Sequence, residues 1–247
     1  MIQTTLIKKS LADFFSPKLL LLSIIPFLIS FTLFIFLYFQ FGIDLVQNFK
    51  TSMENGVVPF LDPDIYPKIT YILTLGVFKW FFMIFFYLVG GIVVILSSVM
   101  IAVVVIGFFT PFIVKVIRDR HYPDFEIQNE DFTLLFTVWE GIKVFFIFMA
   151  LFFICLPFLF IPAVNFIAIN IPFYYLYHNF LVLDVGSSIN SKEEFFKLRK
   201  KHKVVFKSTT FSLYSLSLIP LVGMVFQVLF VIILAHQFFI KSIEGKS

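Results

Sequence analysis

Charge is scarce in this sequence. Asp, Glu, Lys and Arg make up 14% of its 247 residues, while hydrophobic residues reach 60%; soluble domains carry about 25% charged residues. Too little polar surface remains to coat a water-exposed globule, so a soluble enzyme and a disordered chain are both excluded. Cysteine is nearly absent as well. The single Cys155 permits no intrachain disulfide, no Cys-x-x-Cys and no Cys/His zinc spacing. Acids are missing altogether from 80–114, 144–183 and 208–240, which argues against a carboxylate proton relay. No Gly-rich phosphate loop, His-Glu-x-x-His or nucleophile elbow occurs. The expectation is a protein that is not an enzyme, with no catalytic residues, no metal and no cofactor. A net charge of +4, thinly spread, gives no footprint for nucleic acid.

What the chain has is apolar length. Thirty-nine Phe and four long uncharged stretches predict an all-α integral membrane protein, with 1–247 as a single membrane domain. The first stretch, 19–43, follows Lys8, Lys9 and Lys18 and runs for about 25 residues, beyond the 7–15 of a cleavable leader. It reads as a retained spanning helix. The second, within a helix expected over 70–114, has an uncharged part of roughly 52 Å at 1.5 Å per residue. A bilayer core is about 30 Å thick, so this helix must tilt, break or project into water.

The third and fourth stretches, 144–183 and 208–240 (the latter within a hairpin expected over 204–240), are interrupted by proline: Pro157, Pro162 and Pro172 in one, Pro220 in the other. Proline lacks an N–H and disfavours helix at the preceding residue, so each stretch reads as a helical hairpin turning at Pro162 or Pro220. The arm 204–219 is about 24 Å long. The hairpins therefore either dip partway into the bilayer or cross it twice.

Basic residues set the expected orientation. The segment before residue 19 carries three Lys, 115–143 four basic residues and 184–207 seven, whereas 44–68 has two Lys against four acids. Basic loops favour the cytoplasm, which places the N-terminus inside and 44–68 outside. The turn-rich NGVVPFLDPDIYP and the acid-bearing connector after Asp119 read as solvated loops.

The two hairpins also resemble each other. Ile161-Pro162-Ala163-Val164-Asn165 has a counterpart in Ile219-Pro220-Leu221-Val222-Gly223, and sixteen residues after each proline comes a histidine, His178 or His236, followed by Asn179 or Gln237. Repeats with broken helices are a recurrent way to build transport pathways. A helix starting after proline inside the membrane offers N–H groups that can receive an anion. Asn165 and Asn170 would add amide donors there, or satisfy the turn's own backbone. His178 and His236 are candidates either for interfacial anchoring or for polar gating. Along the second helix, Gly90, Gly91, Ser97, Ser98, Ala102 and Gly107 form a small-residue stripe that suits close helix contact.

On these residues the chain resembles the CysZ sulfate-permease family, related to the etoposide-induced membrane proteins. FIPAVNFIAINIP (Phe160–Pro172) and LIPLVGMVFQ (Leu218–Gln227) are similar to the family's paired Ile-Pro-x-Val-Asn hairpins, and TPF (Thr110–Phe112) to the Pro-Phe that ends its long second helix. The segment SPKLLLLSIIP (Ser16–Pro26) resembles the family's Gly-Leu-Arg anion-motif region. Pro17 and Leu19 match; Lys18 stands for the glycine and Leu20 for the arginine. A lysine can attract an oxyanion as a point charge without making a bidentate fork. The resemblance implies a homo-oligomeric, multi-pass protein of the bacterial inner membrane that admits sulfate or a similar oxyanion for assimilation. It also implies anion binding at Pro17, Lys18 and Leu19, beside the turn donors Asn165 and Asn170. A non-transporting oligomeric scaffold of the same fold is the alternative.

Overall fold

The computed structural model describes residues 2–55, 68, 76–129, 131–162, 164–219 and 222–246. Among them there is no strand. The helices are α1 (Ile2–Phe14), α2 (Pro17–Leu37), α3 (Ile43–Glu54), α4 (Gly76–Phe108), α5 (Thr110–His121), α6 (Leu134–Cys155), α7 (Val164–Ser187), α8 (Lys192–Lys201), α9 (Lys203–Ser217), α10 (Val222–Val225) and α11 (Gln227–Lys246). Four helical runs among the described residues are long and apolar enough to cross a bilayer: Pro17–Ser52, Leu135–Phe160, Val164–Ser187 and Gln227–Gly245. The all-helical membrane fold expected from hydropathy is the fold observed.

The chain divides into two compact units, Ile25–Val104 and the remainder, Met1–Ile24 with Val105–Ser247. Within the first, the spanning run continues past Leu37 through a π-turn at Tyr38–Gly42 into α3. The expected outer loop from Asp44 therefore begins as helix, because a charged residue ends an apolar run without ending a helix, and no breaker precedes Gly56. The turn-rich segment 56–67 lies outside the described residues. Gly90 has a role in α4 that the small-residue stripe anticipated. A Cβ built there would lie 2.3 Å from Cε2 of Tyr38, so glycine lets the π-turn ring lie on the helix backbone.

In the larger unit, the long helix ends where the TPF motif stands. Phe109 sits at φ −91° and ψ 0°, and α5 restarts with Pro111 in its first turn, where a missing N–H costs nothing. The α6–α7 pair is an antiparallel hairpin. Gly141 faces Phe180 and Phe148 meets Phe173 at 5.4 Å, both pairs centred on the same point of the chain. Its elbow is the 3₁₀ turn Leu156–Phe160, with Pro157 in its first turn, followed by Pro162. The α9–α11 pair repeats the device: Phe206 stacks on Phe238 at 4.5 Å, and Gln237 Nε2 donates to Thr209 Oγ1 at 2.9 Å. The elbow residues Pro220 and Leu221 lie outside the described residues.

Between the hairpins, Ser191 caps α8 by accepting from the Glu194 N–H, a Ser-x-x-Glu start. Glu193 and Glu194 then occupy the first turn of α8, with Arg199, Lys200 and Lys201 in its last, matching the helix dipole at both ends. The core gathers on α11, whose residues from Val228 to Ala235 are all buried, and on Phe14, Leu19, Phe195 and Phe206 around it. By contrast α6 and the start of α7 turn Phe146, Phe153, Ile154, Phe166 and Ile167 outward, as a lipid-facing surface does.

Two substitutions test this packing. A Cβ at Gly186 in α7 would come within 2.4 Å of the Phe195 ring and 2.8 Å of the Phe238 ring, both buried. Gly186→Ala is expected to cost about 1–3 kcal/mol by overpacking, visible as a lower unfolding temperature in detergent. Gly245→Ala, which meets nothing within 4 Å, leaves that temperature unchanged. In the smaller unit, Gly90→Ala is expected to displace Tyr38, read as a changed Tyr38 environment by site-specific fluorination and NMR.

Candidate functional site

Helices α7, α8 and α9 enclose a cleft of about 690 Å³. Arg199, Lys200, Lys203 and Lys207 line it, and among the described residues no Asp or Glu does. Among the described residues none of these four cations forms an ion pair. The charge at the end of α8 thus exceeds what the helix dipole requires and faces an open space.

The cleft wall is held by polar contacts between helices. Arg199 Nη2 donates to Asn179 Oδ1, and the Asn179 amide in turn donates to the Tyr175 carbonyl at 2.7 Å. Burial lowers the affinity of Arg199 for its proton somewhat, yet a guanidinium keeps its charge at any physiological pH. Thr210 Oγ1 donates along its own helix to the Phe206 carbonyl at 2.9 Å. His178 Nδ1 lies 2.7 Å from the same Thr210 Oγ1, within hydrogen-bond distance. The hydroxyl of Tyr174 donates to the Lys207 carbonyl at 2.9 Å. The neighbouring threonines of α9 therefore serve both hairpins: Thr210 meets His178 from α7 and Thr209 receives Gln237 from α11.

The residues singled out in the sequence are dispersed. Pro17 opens α2 with its side chain exposed, Lys18 is exposed, and Leu19 is fully buried in the core. None of the three lines the basic cleft. Past the Pro162 elbow, Asn165 is exposed and its backbone N–H already donates to the Ile161 carbonyl at 3.0 Å. Asn170 is engaged at both ends: its amide donates to the Phe166 carbonyl at 2.6 Å, and its Oδ1 accepts from Tyr214 at 2.8 Å. It ties α7 to α9. His178 lines the cleft; His236 does not.

His236 belongs to a second polar cluster, which the sequence reading missed. Its Nε2 lies 2.9 Å from Asp13 Oδ2, and the hydroxyl of Tyr122 lies 3.0 Å from its Nδ1. His121 Nε2 reaches the same Asp13 oxygen at 2.9 Å, and Arg120 Nη1 donates to Asp13 Oδ1 at 2.6 Å. Burial by itself would raise the Asp13 carboxyl, but hydrogen bonds from His121, Arg120 and His236 outweigh it and hold the group below the usual carboxylate value. Burial and the Asp13 charge push the Tyr122 hydroxyl up to about 12, so it stays protonated. Residues 108 and 223 positions apart make these contacts, a spacing no local motif encodes. A third tie joins Thr110, the first residue of the TPF motif, to Asp184 at 2.6 Å. The basic block was legible as loop charge. Its helix cap is a local Ser-x-x-Glu pattern, but its pairing with Asn179 depends on tertiary packing.

No curated protein and no solved structure matches the chain significantly. A family model does match, over residues 6–227, a range that takes in most of α1, the whole basic cleft and both hairpin elbows. A multi-pass helical membrane protein with that match is a member of a transport family rather than an enzyme family: the chain belongs to the family described as sulfate transporter CysZ/etoposide-induced protein 2.4.

Proposed function

We propose that this protein is a permease for sulfate or a similar small oxyanion, serving sulfate assimilation. In this reading it sits in the bacterial inner membrane as a homo-oligomer with its N-terminus in the cytoplasm. The observation that carries the reading is the cleft of α7–α9, where four cations face open space with no acid among the lining residues. Glu140 acts electrostatically on Arg199, yet the four gathered cations outnumber it, and an excess of like charge favours an anion. Arg199 is the best placed of the four, because Asn179 fixes one edge of its guanidinium and leaves other N–H donors for an oxyanion. Lys200, Lys203 and Lys207 supply mobile point charges around it. The cleft offsets the Lys18 and Leu20 departures from the family's anion motif by placing an arginine elsewhere in the fold.

The second reading, a non-transporting scaffold, draws on those same departures and on Asn170, whose amide bonds its own helix and whose Oδ1 ties α7 to Tyr214 of α9.

Uptake of labelled sulfate into liposomes containing the purified protein separates the readings. A charge-assisted hydrogen bond is worth about 1.5–3 kcal/mol, so Arg199→Gln should reduce uptake roughly tenfold or more. Lys203→Gln and Lys207→Gln should reduce it less. Lys197→Gln, on the same helix but outside the cleft lining, should leave it unchanged. A loss with Lys18→Ala and none with Arg199→Gln would move the anion site to the start of α2. Wild-type protein that passes neither sulfate, sulfite, phosphate nor molybdate is a scaffold.

A further inference from the structure

We propose that Asp13, His121 and His236 form a binding site for a divalent transition-metal ion, with Zn²⁺ the best match to two imidazoles and one carboxylate. The proposal is independent of the transport reading. One potential ligand atom from each residue falls within 4.8 Å of the other two. Zinc bonds of about 2.0–2.2 Å place tetrahedral ligand atoms roughly 3.3 Å apart, so small shifts of the rings admit the ion. The three residues come from α1, the end of α5 and α11, and both Nε2 atoms converge on one carboxylate oxygen at 2.9 Å. Asp13 and His236 are almost wholly buried, and His121 is partly exposed.

The surrounding groups supply what a metal centre needs beyond its ligands. Metal-bound imidazoles usually place their other ring nitrogen against a polar partner. For His236 that partner is the Tyr122 hydroxyl. Metal-free, the cluster closes through hydrogen bonds, with each imidazole offering its Nε2 proton to Asp13. On binding, each neutral ring carries its proton on Nδ1 instead and gives the Nε2 lone pair to the ion. Tyr122 changes from donor to acceptor for His236, and the ligand set keeps its total of protons. Arg120 occupies Asp13 Oδ1 and leaves Oδ2, the oxygen the histidines share, to the metal.

A route in is also present. His121 and Tyr122 line a cavity of about 520 Å³ together with Asp124 and Glu126. This opening is acidic where the α7–α9 cleft is basic. Asp13 meets the positive charge of Arg120 directly, and Asp124 and Glu126 add acids to the lining of the opening. A water on the His121 side would complete four-coordination.

The test uses full-length protein in detergent, stripped with EDTA, equilibrated with Zn²⁺ and freed of excess metal. Mass spectrometry of the bound metal is expected to give one Zn²⁺ per chain. Zn²⁺ should also raise the unfolding temperature, and Co²⁺ in its place should give the intense visible bands of a tetrahedral centre. His121→Ala and His236→Ala are expected to weaken binding tenfold or more; His178→Ala and His202→Ala, removing the other two histidines, should keep it. His121 is the informative position if His236→Ala fails to fold, because its ring is partly exposed and the core does not depend on it. Wild-type protein that retains no stoichiometric zinc, or His121→Ala protein that binds it as well as the wild type, overturns the proposal.

Discussion

A carboxylate at 2% exposure in so apolar a chain can stay ionised only if donors surround it, and Asp13 recruits them from three places. Arg120 and His121 come from the last turn of α5, His236 from the middle of α11. Without these donors the buried charge would stand uncompensated, which costs far more than the cluster gains over water. The cluster therefore fixes where α1 lies against α5 and α11 more sharply than apolar packing could, since apolar faces slide past one another at little cost. Phe14, next in sequence, is 1% exposed and stacks near Phe226 at a centroid distance of 5.3 Å, so the polar tie and the core meet at neighbouring residues.

That placement carries through α11 to the rest of the larger unit. His236 faces Asp13, and its neighbour Gln237 faces Thr209 on α9. One step further along α9, Thr210 takes His178 from α7. Three helices are thus keyed by two adjacent threonines, and the fourth, α8, is set by Arg199 on Asn179, the residue after His178. In lipid, where burial of apolar surface no longer drives helices together, such interhelical hydrogen bonds and close ring packing decide the arrangement. Gly186 allows the tightest of these contacts by leaving room for Phe195 and Phe238.

The sequence made the helices legible because the signals for them are local. Uncharged length marked the spanning runs, proline marked the elbow at Pro162, and the TPF motif marked the break after α4. The His-amide pairs were legible as a repeat, but their roles were not. His178 and Asn179 serve the basic cleft, whereas His236 serves Asp13, because the two hairpins have different neighbours. Asn165 and Asn170 suggested anion donors since amides deep in lipid are costly. The structure gives Asn170 a cheaper solution, a contact with Tyr214 that only the second hairpin can supply. Asp13 carried no signal at all: a lone acid in a lysine-bearing helix looks solvated until partners more than a hundred residues away arrive.

The two openings of the larger unit differ in sign, and the chain order explains how so few charges achieve this. The cations of the α7–α9 cleft come from one block, 199–207, folded as the end of α8 and the start of α9, so they stay together whatever the hairpins do. The acids of the other opening, Asp124 and Glu126, lie in the short connector after α5, where no helix needs them for a cap. Segregation of this kind does not help folding, which is better served by pairing opposite charges. On the proposed function it separates an anion-attracting opening from a cation-attracting one, and it is why the basic cleft rather than the start of α2 carries that proposal.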